Sequence, residues 1–110
     1  MKVQYLLAAA AAVVAISLPA AAAPDADAAN KMTKDNGCTK CHSIDKTKKG
    51  PSFQKTAAKY KGKADAEATL TKFLTSGQKV KMDDGTEEEH KAVKAADPGL
   101  KNLVQFILAQ

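Results

Sequence analysis

The densest chemistry in this chain lies in five consecutive residues, Cys38-Thr39-Lys40-Cys41-His42. They hold both cysteines and one of the two histidines. Cys-x-x-Cys-His is the attachment signature of a c-type haem. Two thiols three residues apart can reach the two vinyl groups of one porphyrin and form thioethers. The adjacent imidazole then presents a ring nitrogen to the iron. Rival uses of the pair fit less well. A thioredoxin-like redox pair expects a preceding strand and a βαβ setting. A zinc site needs further Cys or His ligands, and only His90 remains. A disulfide at this spacing closes a tiny loop and adds little stability.

Helices must position these residues. Ala28, Ala29, Met32 and Asn36 recur at helical spacing, with Gly37 as a stop just before Cys38. Gly50-Pro51 marks a turn after a Lys-rich loop. Ser52 can cap a short helix with Phe53, Ala57 and Tyr60 near one face, ended by Gly62. Ala66 to Ser76 groups Leu70, Phe73 and Leu74 and stops at Gly77. Residues 78–96 read as polar and irregular, with a short helical turn around Glu87 to Ala95. Asp97-Pro98 reads as N-cap and first helical residue of a last helix. That helix carries Leu100, Leu103, Val104, Ile107 and Leu108 on one stripe. No run alternates as a strand should. The expected class is all-α, with several short helices and long loops.

The N-terminus differs from the rest. Lys2 is followed by an apolar run from Leu6 to Leu18 and small residues Ala20 to Ala23, the layout of a secretory signal peptide. The run is Ala-rich and short for a membrane anchor. Residues 1–23 are therefore expected to be cleaved, after Ala22 or Ala23, leaving one domain over 24–110. Export favours the haem reading, since haem attachment follows secretion in bacterial c-type cytochromes, and it implies the periplasm. The exported part has few aromatics, namely Phe53, Tyr60, Phe73 and Phe106. A chain so equipped gains from a large apolar cofactor.

All seventeen basic residues are Lys, ten of them between Lys31 and Lys63. Without Arg or interleaved aromatics, nucleic acid is a poor partner. Asp83, Asp84, Glu87, Glu88 and Glu89 form a later acidic cluster, without the spacing of an EF-hand calcium loop.

From Ala26 to Gln110 the chain resembles the small bacterial class I cytochromes c. The resemblance rests on Gly37-Cys38-Thr39-Lys40-Cys41-His42-Ser43, Gly50-Pro51-Ser52-Phe53, Ala57-Ala58-Lys59-Tyr60-Lys61-Gly62, Ser76-Gly77 and Leu103-Val104-Gln105-Phe106-Ile107-Leu108, in that order. It implies crossing first and last helices around one covalent haem c. It also implies thioethers at Cys38 and Cys41, His42 as proximal iron ligand, and Pro51 accepting the His42 imidazole N–H.

The chain departs from the family at the second axial ligand, usually a Met followed by Pro shortly before the last helix. Met82 is followed by Asp83 and lies fifteen residues before Asp97; His90 lies seven before it. His90 is the preferred distal ligand and Met82 the alternative, with an open or otherwise filled position remaining. A His/His pair gives a lower potential than His/Met, and the acidic cluster pushes the same way.

The leading expectation is a monomeric periplasmic electron carrier, not an enzyme. It would meet redox proteins through a Lys-rich face near the haem edge, drawn from Lys31, Lys34, Lys40, Lys46, Lys48 and Lys49. A gas-binding sensor with a displaceable distal ligand and a haem subunit of a dehydrogenase or oxidase are the alternatives. No Ser/His/acid set or phosphate-binding Gly loop is present.

Overall fold

The computed structural model describes residues 11–15 and 23–110. Most of the expected export segment, residues 1–10 and 16–22, lies outside the described residues. Helix α1 spans Ala26–Asp35, and a single 3-10 turn spans Cys38–Lys40. Helices α2 and α3 span Phe53–Tyr60 and Ala66–Ser76. Strands β1 (Lys79–Lys81) and β2 (Glu87–Glu89) form an antiparallel hairpin, and α4 spans Gly99–Leu108.

Local chemistry sets most boundaries. The Asp25 carboxylate accepts from the Ala28 N–H at 3.0 Å and starts α1. At the far end Gly37 takes φ +69°, a left-handed turn that reverses the chain into Cys38. Ser52 Oγ accepts from the Lys55 N–H at 3.0 Å and starts α2, and α3 ends on left-handed Gly77. Helix α4 opens at Gly99, one residue later than Asp97-Pro98 suggests, although the Asp97 carboxylate still accepts from the Lys101 N–H at 3.0 Å.

The core forms where α4 meets the other three helices. Leu100, Leu103, Val104, Phe106 and Ile107 are buried, each contributing about 1.5–3 kcal/mol of apolar burial. Phe106 belongs to this face, whereas Leu108 only borders it. Ala29 on α1 is 1% exposed, as are Leu103 and Val104. Its small side chain lets α1 and α4 approach closely. The crossing is pinned by a paired amide contact. Asn102 Oδ1 accepts from the Asp25 N–H at 2.7 Å, while its Nδ2 donates to the Asp25 carbonyl at 2.8 Å.

The four helices form the helical fold expected from the sequence, and the hairpin adds a small two-stranded sheet to it. It corrects one local expectation, for Glu87–Glu89 is a strand rather than the start of a helical turn. Residues 90–96 contain no helix either. Each strand has only three residues, too few for an alternation to register, and β2 is glutamate throughout. The legible signal was Asp84-Gly85, a turn dipeptide, with Gly85 at φ +85°. Pairing of Lys79 with Glu89 and Lys81 with Glu87 places opposite charges across the ladder.

Leu103→Ala is expected to lower stability by about 2–5 kcal/mol, read as a shifted urea midpoint of the cofactor-bearing protein.

Candidate haem site

The short turn after Gly37 organises the cysteines. The Cys38 carbonyl accepts from the Cys41 and His42 N–H groups at 3.1 and 2.9 Å, a tight turn that curls Cys38, Cys41 and His42 onto one cleft. Both thiols are half-buried and unpaired with each other. Burial pushes the Cys38 thiol up from its ordinary value, against its own backbone hydrogen bond and the Lys91 charge.

The loop that follows fixes His42. Pro51 O lies 2.7 Å from His42 Nδ1. A carbonyl can only accept, so Nδ1 carries the proton and Nε2 keeps its lone pair. The loop is held to the turn by the Gly50 N–H, which donates to the Cys41 carbonyl at 2.8 Å. Gly50 sits hard against the imidazole, for a Cβ there would overlap His42 Cε1. Phe53, the first residue of α2, stacks on the same ring with centroids 5.7 Å apart and planes at 20°.

His90 reaches the cleft from the other side. It follows β2, and its N–H donates to the Gln78 carbonyl at 2.8 Å, extending the hairpin by one rung. Its Nδ1 lies 3.1 Å from the Lys91 carbonyl, so by the same reasoning Nε2 is again the free nitrogen. Phe73 of α3 packs on the ring at 4.8 Å and 53°. Burial, and then the neighbouring His42, holds the His90 pKa below its ordinary value and favours neutral imidazole, the form that binds metals. The two imidazole centroids are 6.1 Å apart.

Every sequence-predicted site residue lines this one cleft of about 590 Å³: Cys38, Cys41, His42, Pro51, Met82 and His90. Its apolar wall comes from Leu70, Phe73, Leu74, Val93, Leu103 and Ile107. Met82 and His90 are not neighbours along the hairpin. Met82 sits at the turn, opposite Thr86, while His90 sits at the base, opposite Gln78. Four residues of strand separate those rungs, about 13 Å. A haem fits this donor set, for two thiols, two imidazoles with free Nε2 atoms and an apolar patch share one cleft, with charged residues such as Lys49 and Glu88 also lining it.

The comparisons with known proteins agree with that chemistry. Residues 26–110 match the family model for cytochrome c. The chain belongs to the cytochrome c family. Across 86 residues this cytochrome is 35% identical to cytochrome c-551 of Allochromatium vinosum, covering 78% of this chain and 89% of that protein. It is 41% identical over 46 residues to cytochrome c-551 of Pseudomonas aeruginosa, an alignment that spans 42% of this chain and 44% of that protein. Among solved structures it resembles the class 1 cytochrome MtoD from Sideroxydans lithotrophicus ES-1, with a TM-score of 0.77 and 54% identity. That match covers 79% of this chain and 97% of MtoD. The fold is therefore that of a class I c-type cytochrome, whose cofactor is one covalent haem c and whose class of function is electron transfer.

Several neighbours of the site were not read as such from sequence. Phe53 and Phe73 were placed only as helix-face residues, and the tight approach of Gly50 to His42 had no local signal beyond the Gly-Pro turn. The Lys set is also divided. Lys31 pairs with Asp35 at 2.6 Å, and Lys49 pairs with Glu88 at 2.8 Å. The Lys48 ammonium donates to the Thr39 carbonyl at 2.7 Å, bracing the loop over the Cys-x-x-Cys turn.

Gly50→Ala should drive the His42 ring or its loop out of place. The expected result is a changed axial-ligand spectrum and a loss of about 1–3 kcal/mol, measured by optical spectroscopy and urea denaturation of the haem-bearing protein.

Proposed function

We propose that this cytochrome is a single-electron carrier of the periplasm, with its haem bonded to Cys38 and Cys41 and its iron held between His42 and His90. The observation that carries the reading is the opposed pair of imidazoles, each with Nδ1 on a backbone carbonyl and Nε2 free. The ring centroids lie 6.1 Å apart, close enough that His42 and His90 would share one iron. Met82, anchored at the other end of the hairpin, would have to travel to take the same place.

The haem supplies a one-electron couple. The chain's own groups keep that couple undisturbed. Pro51 and Lys91 carbonyls restrain ring rotation, and a hydrogen bond to Nδ1 raises ligand basicity. Phe53 and Phe73 wedge the rings, so both ligands can stay in place in either oxidation state and little reorganises. Two imidazoles and the neighbouring carboxylates Glu88 and Glu89 favour a potential below that of a Met-ligated relative.

Export is supported by the charged, apolar and small-residue layout of residues 1–23. Docking on acidic redox partners is supported by the lysines around the Cys-x-x-Cys turn. Lys40, Lys46 and Lys48 are exposed there. A monomer suffices for this role.

Two measurements test the proposal. His90→Ala should abolish the low-spin bis-imidazole spectrum of the ferric protein, while Met82→Ala leaves it intact; the reverse pattern would sink the distal assignment. Reduction of an acidic partner should slow by about tenfold or more as ionic strength rises from about 0.01 M to about 0.1 M, and a flat response would remove the Lys-guided docking.

A further inference from the structure

We propose that the Lys49–Glu88 ion pair is a strap across the mouth of the haem cleft, which holds the β1–β2 hairpin closed and slows entry of small exogenous ligands. The proposal rests on the reading that a haem fills this cleft. Lys49 Nζ and Glu88 Oε1 are 2.8 Å apart, and both residues line the cleft from facing sides. Lys49 immediately precedes Gly50-Pro51, the segment that sets His42, and Glu88 lies two residues before His90. The pair therefore ties the proximal loop directly to the distal hairpin. Among the described residues the other ion pair, Lys31–Asp35, merely links one turn of α1 to the next.

The hairpin needs such a tie. A two-stranded hairpin by itself is marginal in water. Between residues 79 and 89 only Val80 and Met82 are half-buried, and the rest are exposed. The base is fastened by the Val93 N–H, which donates to the Leu74 carbonyl at 2.7 Å, with Val93 buried. Nearer the tip, register leaves Glu88 opposite Val80 while Glu87 and Glu89 face Lys81 and Lys79. Glu88 is thus the glutamate of β2 without a lysine across the ladder, and Lys49 takes it instead. The Glu88 carboxylate, through its hydrogen bond and its charge, holds the Lys49 pKa above its ordinary value, with Asp84 adding a little. About half of each side chain is exposed, so the strap is weak and releasable. Its effect belongs on an opening rate rather than on the fold.

The test uses the full haem-bearing protein and cyanide as the entering ligand on the ferric form. Glu88→Gln and Lys49→Gln should each speed cyanide association by about two- to fivefold. The double variant should be no faster than either single one, and the exchanged pair Lys49→Glu with Glu88→Lys should return toward the original rate. At about 1 M salt the unaltered protein should lose its advantage. Unchanged single-variant rates, multiplying effects in the double variant, or an exchanged pair as fast as the singles would overturn the strap. The optical spectrum before cyanide is added reports the axial ligands separately. Loss of the bis-imidazole reading there leaves the comparison among variants standing.

Discussion

The hydrogen bond from His42 Nδ1–H to the Pro51 carbonyl is the contact on which the site depends. It decides which ring nitrogen is available, and it converts a residue on a loop into a donor of fixed direction. Its strength comes from confinement. The loop carrying Pro51 is bonded back to the Cys-x-x-Cys turn through Gly50 N–H and Cys41 O, and the absence of a side chain at Gly50 leaves the imidazole room to lie flat. Phe53, starting α2 just after the capping Ser52, stacks on the same ring. One helix start, one turn and one hydrogen bond thus share a single geometric task.

The distal side uses the same device with less support. His90 also turns Nδ1 to a backbone carbonyl and also meets an aromatic ring, Phe73. Its backbone, however, belongs to the base of a small polar hairpin rather than to a loop wrapped on a helix. The hairpin's ladder joins three residue pairs, and the bonds that tie it to the body include the Val93–Leu74 hydrogen bond and the Lys49–Glu88 pair. The proximal half is built on the apolar core of α4, while the distal half hangs from its edge. The His90 ring is thus held through a less buried part of the fold than the His42 ring.

Packing and charge are kept apart. The helix crossing is made by small and aliphatic residues, with Ala29 against the Leu103–Val104 ridge and the Asn102 amide bridging to Asp25. The charged residues lie on the exposed faces of the helices, on the loops and on the hairpin, where they pair across short gaps or stay in solvent. A core this small leans on whatever occupies the cleft, because Leu70, Leu74, Leu103 and Ile107 present side chains to both the helix interface and the cleft.

Local sequence determined the helices, their caps and the haem signature, since each depends on contacts within a few residues. Ser52, Gly37 and Gly77 mark their boundaries by hydroxyl capping or freedom at positive φ, and Cys38-Thr39-Lys40-Cys41-His42 needs only a tight turn to converge. The hairpin was hidden because its strands are too short and too polar to carry a period, although Asp84-Gly85 named its turn. Only tertiary structure decided the spacing of His42 and His90, residues 48 positions apart whose rings come to 6.1 Å. The same holds for Phe73 on His90 and Lys49 on Glu88. Those contacts follow from how α3, the proximal loop and the hairpin are set around α4, and spacing along a chain carries no record of distances across a cleft.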